Sequence, residues 1–142
     1  MSSDLFNLDN HLQTLIQEAQ KARLNSHSPY SGFKVGASVL MDDGNIYAGC
    51  NVENASYGGT VCAERVAVWK GLSEGAQKVL GLVVLTDSDP PWPPCGICRQ
   101  VVSEFSSSQA PVVLINLQGS QIHKTLGELC PDFFGPVSLK SQ

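Results

Sequence analysis

The sequence predicts an α/β fold, a three-layer α-β-α sandwich whose central mixed five-stranded sheet begins as an antiparallel hairpin and continues with parallel strands. Three observations carry this. Asp42-Asp43-Gly44-Asn45 separates two short apolar segments and is a strong hairpin signal. Residues 79–86 and 111–117 are Val/Leu/Ile runs, the pattern of strands buried on both faces. Helical periodicity fills the gaps between later strands, and strands alternating with helices imply right-handed crossovers with helices on both faces of the sheet. The 142 residues show no internal repeat and no linker, so one domain spans 1–142.

In chain order, Leu8, Leu12, Leu15, Ile16, Ala19 and Ala22 recur at helical spacing, with Asn7 or Asp9 as cap. Ser28-Pro29-Tyr30-Ser31-Gly32 reads as a loop. Strands are expected over 33–40 and 46–52, and 53–60 is irregular. A helix follows from about Cys62 to Leu72, closed near Gly75. The strand 79–86 leads into a loop constrained by Pro90, Pro91, Pro93 and Pro94. A helix over 96–106 then places Val101, Val102 and Phe105 on one side. The strand 111–117, a weaker strand over 121–125 and a short turn or helix over 126–129 complete the order.

Composition excludes several classes. Hydrophobic residues make up 42% and charged residues 15%, which is incompatible with a solvated disordered polyelectrolyte. The net charge of -4 and a pI of about 5.2 offer no basic footprint for nucleic acid. No stretch approaches the roughly 20 apolar residues that span a bilayer, and the polar, acidic start of the chain lacks the pattern of a secretory signal. A cytoplasmic protein that binds neither membrane nor nucleic acid is expected. Five cysteines fit a closed disulfide framework badly. In a reducing compartment, clustered cysteines serve metals or catalysis.

Cys62-Ala63-Glu64 opens one predicted helix, and Pro94-Cys95-Gly96-Ile97-Cys98 opens the next. A C-x-x-C lets both sulfurs face one cation. Successive crossover helices start at the carboxyl edge of their strands, where open α/β sheets bind ligands. Helix N-termini favour thiolates, and soft sulfur selects zinc over magnesium or calcium. Three ligands leave a fourth position for water, as in catalytic rather than structural zinc sites. Arg65 can offset the excess negative charge. Two alternatives stay open: a closed four-cysteine site recruiting Cys50, and a redox C-x-x-C that leaves Cys62-Ala63-Glu64 unexplained. A carboxylate two residues from a ligand can reach water at the metal without occupying it, so Glu64 is the candidate proton carrier. Taken alone, Glu64 could equally be a first-turn acid favoured by the helix dipole.

Cys-Ala-Glu followed by Pro-Cys-x-x-Cys resembles the zinc-dependent nucleoside and nucleobase deaminases. The likeness is to the short, homotetrameric cytidine deaminases and covers nearly the whole chain. It runs through Ser28-Pro29-Tyr30-Ser31-x-Phe33-x-Val35-Gly36 and from Asn51-Val52-Glu53-Asn54-Ala55-Ser56-Tyr57-Gly58 to Thr60-x-Cys62-Ala63-Glu64-Arg65. It continues through Pro94-Cys95-Gly96-x-Cys98-Arg99-Gln100 and ends at Gly127-Glu128-Leu129-x-Pro131-x-x-Phe134-Gly135-Pro136. Related deoxycytidylate and polynucleotide-editing deaminases place His where Cys62 stands, so a free nucleoside is the expected substrate.

The resemblance implies a hydrolase of pyrimidine salvage that converts cytidine and deoxycytidine to uridine and deoxyuridine with release of ammonia. Cys62, Cys95 and Cys98 would hold one Zn²⁺ per subunit, and Glu64 would move the protons. The Ala63 N–H would face the pyrimidine carbonyl, Asn51 and Glu53 would clasp the ribose 3′-hydroxyl, and Phe33 would lie against the base. Tyr57 and Phe134 would reach a neighbouring subunit's site in a homotetramer, or pack at the interface without touching substrate. Arg65 would support the thiolates; Arg99 would do so too or lie on a solvated helix face. Cys130, Cys50 and Gly58-Gly59 depart from the usual pattern of these enzymes. Trp92 is either a rigid wall beside the site or a surface residue packed on prolines. A deaminase of cytosine-nucleoside antibiotics and a non-catalytic, zinc-stabilised module are the competing readings.

Overall fold

The chain enters through a short 3₁₀ turn, Leu8–Asn10, where the Asn7 side-chain oxygen accepts from the Asp9 N–H at 3.0 Å. In this computed structural model, which describes residues 7–140, helix α1 (Leu12–Arg23) follows at once. It buries Leu15, Ile16 and Ala19 against the sheet. Strands β1 (Gly36–Met41) and β2 (Ile46–Cys50) form the expected antiparallel hairpin, with Gly44 at φ 82 in the turn. After α2 (Ala63–Ser73) comes β3 (Val79–Thr86), paired antiparallel to β1. After α3 (Gly96–Glu104) comes β4 (Pro111–Asn116), parallel to β3. Strand β5 (Gln121–Thr125) returns antiparallel to β4, and α4 (Leu126–Leu129) and α5 (Pro136–Lys140) end the fold.

The sheet order is β2-β1-β3-β4-β5. Since β2 and β3 each run antiparallel to β1, they share a direction, and α2 crosses over β1 between them. The directly hydrogen-bonded parallel pair is β3/β4, linked through α3. The pleat of β3 explains its apolar run: Leu82 and Val84 face the layer of α2 and α3, while Val83 and Leu85 face α1. Two cores therefore flank one sheet, as the three-layer prediction requires. The layers close tightly at glycines. A Cβ on Gly36 would stand 2.0 Å from the Ala19 carbonyl oxygen of α1, and one on Gly49 would stand 2.7 Å from Val66 Cβ of α2.

Several boundaries differ from expectation for identifiable reasons. The first strand begins at Gly36 rather than residue 33, because the Asn51 side chain takes the backbone groups that a ladder would use. Its Nδ2 donates to the Phe33 carbonyl at 2.7 Å, and its Oδ1 accepts the Val35 N–H at 2.9 Å. The second strand stops at Cys50, and Val52 instead exchanges two 3.0 Å backbone bonds with Val61. That bridge draws the irregular 51–61 segment back toward the start of α2. The α2 helix, by contrast, is closed as expected by Gly75, φ 103, two residues past its last residue Ser73, with Gly75 and Ala76 donating to the Leu72 and Gly71 carbonyls in a Schellman pattern. Helix α5 had no counterpart in the sequence reading. Among the described residues, no helix is long and apolar enough to cross a membrane.

Candidate functional site

Cys62 and Cys95 occupy the same structural position, the N-cap of a crossover helix, in α2 and α3. Cys98 lies in the first turn of α3 and is fully buried. The three sulfurs lie within 4.8 Å of one another, with Cys62 Sγ and Cys95 Sγ 3.8 Å apart. Tetrahedral zinc with Zn–S bonds near 2.3 Å places its sulfur ligands about 3.8 Å apart, so the pocket fits that ion. Among the described residues, no fourth metal-ligating side chain joins the cluster. Cys50, the fourth ligand of the closed-site alternative, lines a separate groove with Glu18, Lys21 and Lys70.

The electrostatics favour a thiolate at Cys62. A hydrogen bond from Cys98, reinforced by Arg65 and Cys95, holds the Cys62 thiol down to about 5 despite its partial burial. The deeper Cys98 is pushed up as the proton donor of that pair. Arg65 Nη2 donates to Cys62 Sγ at 3.4 Å, and its guanidinium stands 5.9 Å from the Trp69 ring centroid. Arg65 thus lies in hydrogen-bond contact with one sulfur of the cluster. Trp69 beneath it was not anticipated, although its spacing of four residues on one helix was the available signal.

Glu64 follows Cys62 by two positions and is 3% exposed. Burial is the main cause that pushes its carboxyl up from 4.5 to about 7, and the Cys62 charge adds to it. A carboxyl with that affinity accepts and returns a proton near neutral pH. Ala63 sits between them at the first helical position, where the backbone N–H has no intrahelical partner.

The remaining predicted residues fall into two groups. Asn51 is 8% exposed and clasps Phe33 and Val35 as described, and Ser26 Oγ also donates to its Oδ1. Glu53 Oε1 accepts the Tyr30 and Ser31 N–H groups at 3.0 Å each, and Ser31 Oγ donates to Oε2. These bonds hold the Glu53 carboxyl below its ordinary value. Both residues therefore build the loop that carries Phe33, a task the sequence reading did not give them. Phe33 projects from this loop, half exposed, with its ring edge-on to Trp92 at 4.9 Å between centroids. Trp92 therefore packs against Phe33, and its backbone N–H is anchored on Thr86 Oγ1 at the end of β3.

Tyr57 and Phe134, unlike the sulfur cluster, lie open at the surface. Tyr57 is 76% exposed, touching Tyr30 edge-on at 5.9 Å, and Phe134 is 58% exposed in the segment between α4 and α5. Arg99 does not bond the thiolates. Its Nε donates to the Pro94 carbonyl at 2.8 Å and its Nη1 to the Leu129 carbonyl at 2.6 Å. It is no solvated helix residue either.

Comparison with known proteins agrees with this geometry. The family described as cytidine and deoxycytidylate deaminase zinc-binding region matches residues 9–114. A cytidine deaminase of Halalkalibacterium halodurans is 49% identical over 122 residues, 86% of this chain and 92% of its own length. The crystal structure of cytidine deaminase from Burkholderia pseudomallei superposes with TM-score 0.82 at 43% identity, covering 86% of this chain and 98% of that one. The crystal structure of cytidine deaminase from Mycobacterium tuberculosis gives TM-score 0.74 at 39% identity, covering 87% and 97%.

Proposed function

The chain belongs to the cytidine and deoxycytidylate deaminase zinc-binding family, and on that premise we propose that it hydrolyses cytidine and deoxycytidine to uridine and deoxyuridine, releasing ammonia. The observation that carries this reading is the buried Glu64 beside three converging sulfurs that lack a fourth protein ligand. Cys62, Cys95 and Cys98 hold one zinc ion per chain. Bound zinc supplies a Lewis acid at which water ionises near neutral pH.

The chain's own residues do the rest. Glu64 takes a proton from the attacking water and delivers it to N3 of the pyrimidine, then takes the proton of the new C4 hydroxyl and gives it to the amino group, which departs as ammonia and leaves the C4 carbonyl. Its poise near 7 suits both directions of transfer. The Ala63 N–H donates to the pyrimidine carbonyl oxygen. Phe33, backed by Trp92, covers the base. Asn51 retains one amide proton after bonding the Phe33 carbonyl, and Glu53 offers carboxylate lone pairs, so the two can receive the ribose 3′-hydroxyl. Arg65 adds to the Cys98 hydrogen bond that keeps Cys62 ionised.

The same reading makes the protein a cytoplasmic enzyme of pyrimidine salvage that works as a homotetramer. Its support is the outward display of Tyr57, Phe134, Val137 and Leu139, all more than half exposed. In a tetramer Tyr57 would approach the 5′-hydroxyl in a neighbour's site and Phe134 would close the pocket. The deciding experiment is incubation of the zinc-loaded protein with cytidine. Uridine should form, cease on chelation and resume when zinc is restored; no uridine from the zinc-loaded protein refutes the assignment. Sedimentation equilibrium checks the assembly, and a monomer with full activity would remove the shared-site part.

A further inference from the structure

The first turn of α3 does more than present two sulfurs. Arg99 and Gln100 follow Cys98 directly, and both side chains donate to backbone carbonyls outside the helix. Arg99 Nε bonds the Pro94 carbonyl, immediately before the ligand Cys95, and its Nη1 bonds the Leu129 carbonyl at the end of α4. Gln100 Nε2 bonds the Phe134 carbonyl at 2.8 Å. Between Leu129 and Phe134 the backbone is irregular and includes Asp132 at φ 53, in the left-handed region that Asp tolerates better than most non-glycine residues. Such a segment keeps its course only if its ends are fixed, and these two side chains fix both ends.

We infer that Arg99 and Gln100 are positioning residues that lock the Phe134-bearing segment to the metal-ligand turn, so that closure of the nucleoside pocket is set from the same helical turn that holds the zinc. Arg99 suits the central place because a planar guanidinium can donate along two fixed directions at once, to Pro94 and to Leu129. A lysine ammonium has three rotatable donors on one nitrogen and lacks that fixed fork. Gln100 adds the outer tether. The inference rests on the deaminase reading for its effect on substrate, and on hydrogen bonds alone for its effect on the segment.

The test compares Gln100→Met, which keeps the side-chain length without the donor, and Arg99→Lys, which keeps the charge without the fork. Each zinc-loaded variant is assayed for cytidine turnover and zinc content, and amide hydrogen exchange is followed over 127–140. Gln100→Met should raise KM by about three- to tenfold, the range given by losing one neutral hydrogen bond, and Arg99→Lys, which loses a bond from a charged donor, by at least about tenfold. In both, kcat should stay within about twofold, zinc should remain at one per chain, and exchange over 130–135 should quicken. A merely structural role would lower the active fraction, and hence kcat, while leaving KM in place. Unchanged KM with unchanged exchange overturns the clamp, and so does an equal loss of kcat accompanied by loss of zinc. If the wild-type protein does not deaminate cytidine, the functional reading falls. The exchange arm then decides the clamp alone, with unchanged exchange over 130–135 refuting it.

Discussion

Replacing Glu64 with glutamine separates the chemistry of this site from its architecture. Glutamine keeps the volume and the planar head but cannot accept and return the proton. General acid–base catalysis is worth about 10²–10⁴ in rate, or about 2.7–5.4 kcal/mol of barrier. Glu64 is assigned several proton positions in one reaction, so kcat should fall by at least about 10⁴. The fold should not suffer. The folded carboxyl is raised from 4.5 to about 7, so ionising it costs stability. That cost is absent below the unfolded value near 4.5 and fully present above about 7. At 1.36 kcal/mol per unit it comes to about 3 kcal/mol for the metal-free chain at pH 8. The substituted amide carries no charge, so the metal-free Glu64→Gln variant should be more stable than wild type at pH 8, with the difference shrinking toward pH 5. The assays are ammonia release from cytidine, zinc content by mass spectrometry, and urea denaturation of the metal-free forms at both pH values. Turnover within tenfold of wild type, or a variant less stable than wild type at pH 8, would refute the reasoning.

Three further outcomes follow from separate parts of the structure. Gly36→Ala puts a methyl 2.0 Å from a backbone carbonyl of α1 and should cost at least about 2 kcal/mol in urea denaturation. Gly81→Ala, which meets only the end of the Leu8 side chain at 2.3 Å, should cost less. Trp92→Ala removes the edge-on partner of Phe33 and should raise KM for cytidine by about two- to twelvefold with kcat largely kept, as an aromatic pair of about 0.5–1.5 kcal/mol predicts. Because the Glu53 carboxyl is held below its ordinary 4.5 by Ser31 and Tyr30, its support of the loop is intact above that value and is lost as pH falls through the lower folded value. Tyr30 and Ser31 amide resonances should therefore titrate with a midpoint below 4.5, and a midpoint at or above it would contradict the hydrogen bonds to Glu53.

What was legible in the sequence was whatever repeats at short period or sits at a helix start. The buried strands β3 and β4 show as continuous apolar runs, and β1/β2 shows through Asp-Asp-Gly-Asn. The sulfur tripod was legible because Cys62 and Cys95 are caps, and the order of strands and helices brings successive caps to one sheet edge. The contacts that were not legible join residues far apart through single side chains. Asn51 reaches the Phe33 carbonyl across 18 residues, and Gln100 reaches that of Phe134 across 34. Neither leaves a periodic trace. The resemblance supplies residue roles but not these bonds, and so neither alternative for Arg99, thiolate support or a solvated helix face, includes its bonds to the Pro94 and Leu129 carbonyls.

Asn51 shows how far the two kinds of information can be pulled apart. As a pure ribose ligand, Asn51→Ala would raise KM and leave stability alone. The structure gives its amide a second duty, since it satisfies the Phe33 carbonyl and the Val35 N–H where β1 has not yet begun. Each of these two part-buried hydrogen bonds contributes about 1 kcal/mol. Asn51→Ala should therefore destabilise the fold by about 2 kcal/mol while raising KM. Asn51→Asp keeps the acceptor for Val35 but sets a carboxylate against the Phe33 carbonyl, so it should fall between the two in stability and displace Phe33 nonetheless. Urea denaturation beside steady-state kinetics distinguishes the cases. A KM effect without any stability loss in Asn51→Ala would mean that the amide serves substrate alone and that the strand stops at Gly36 for another reason.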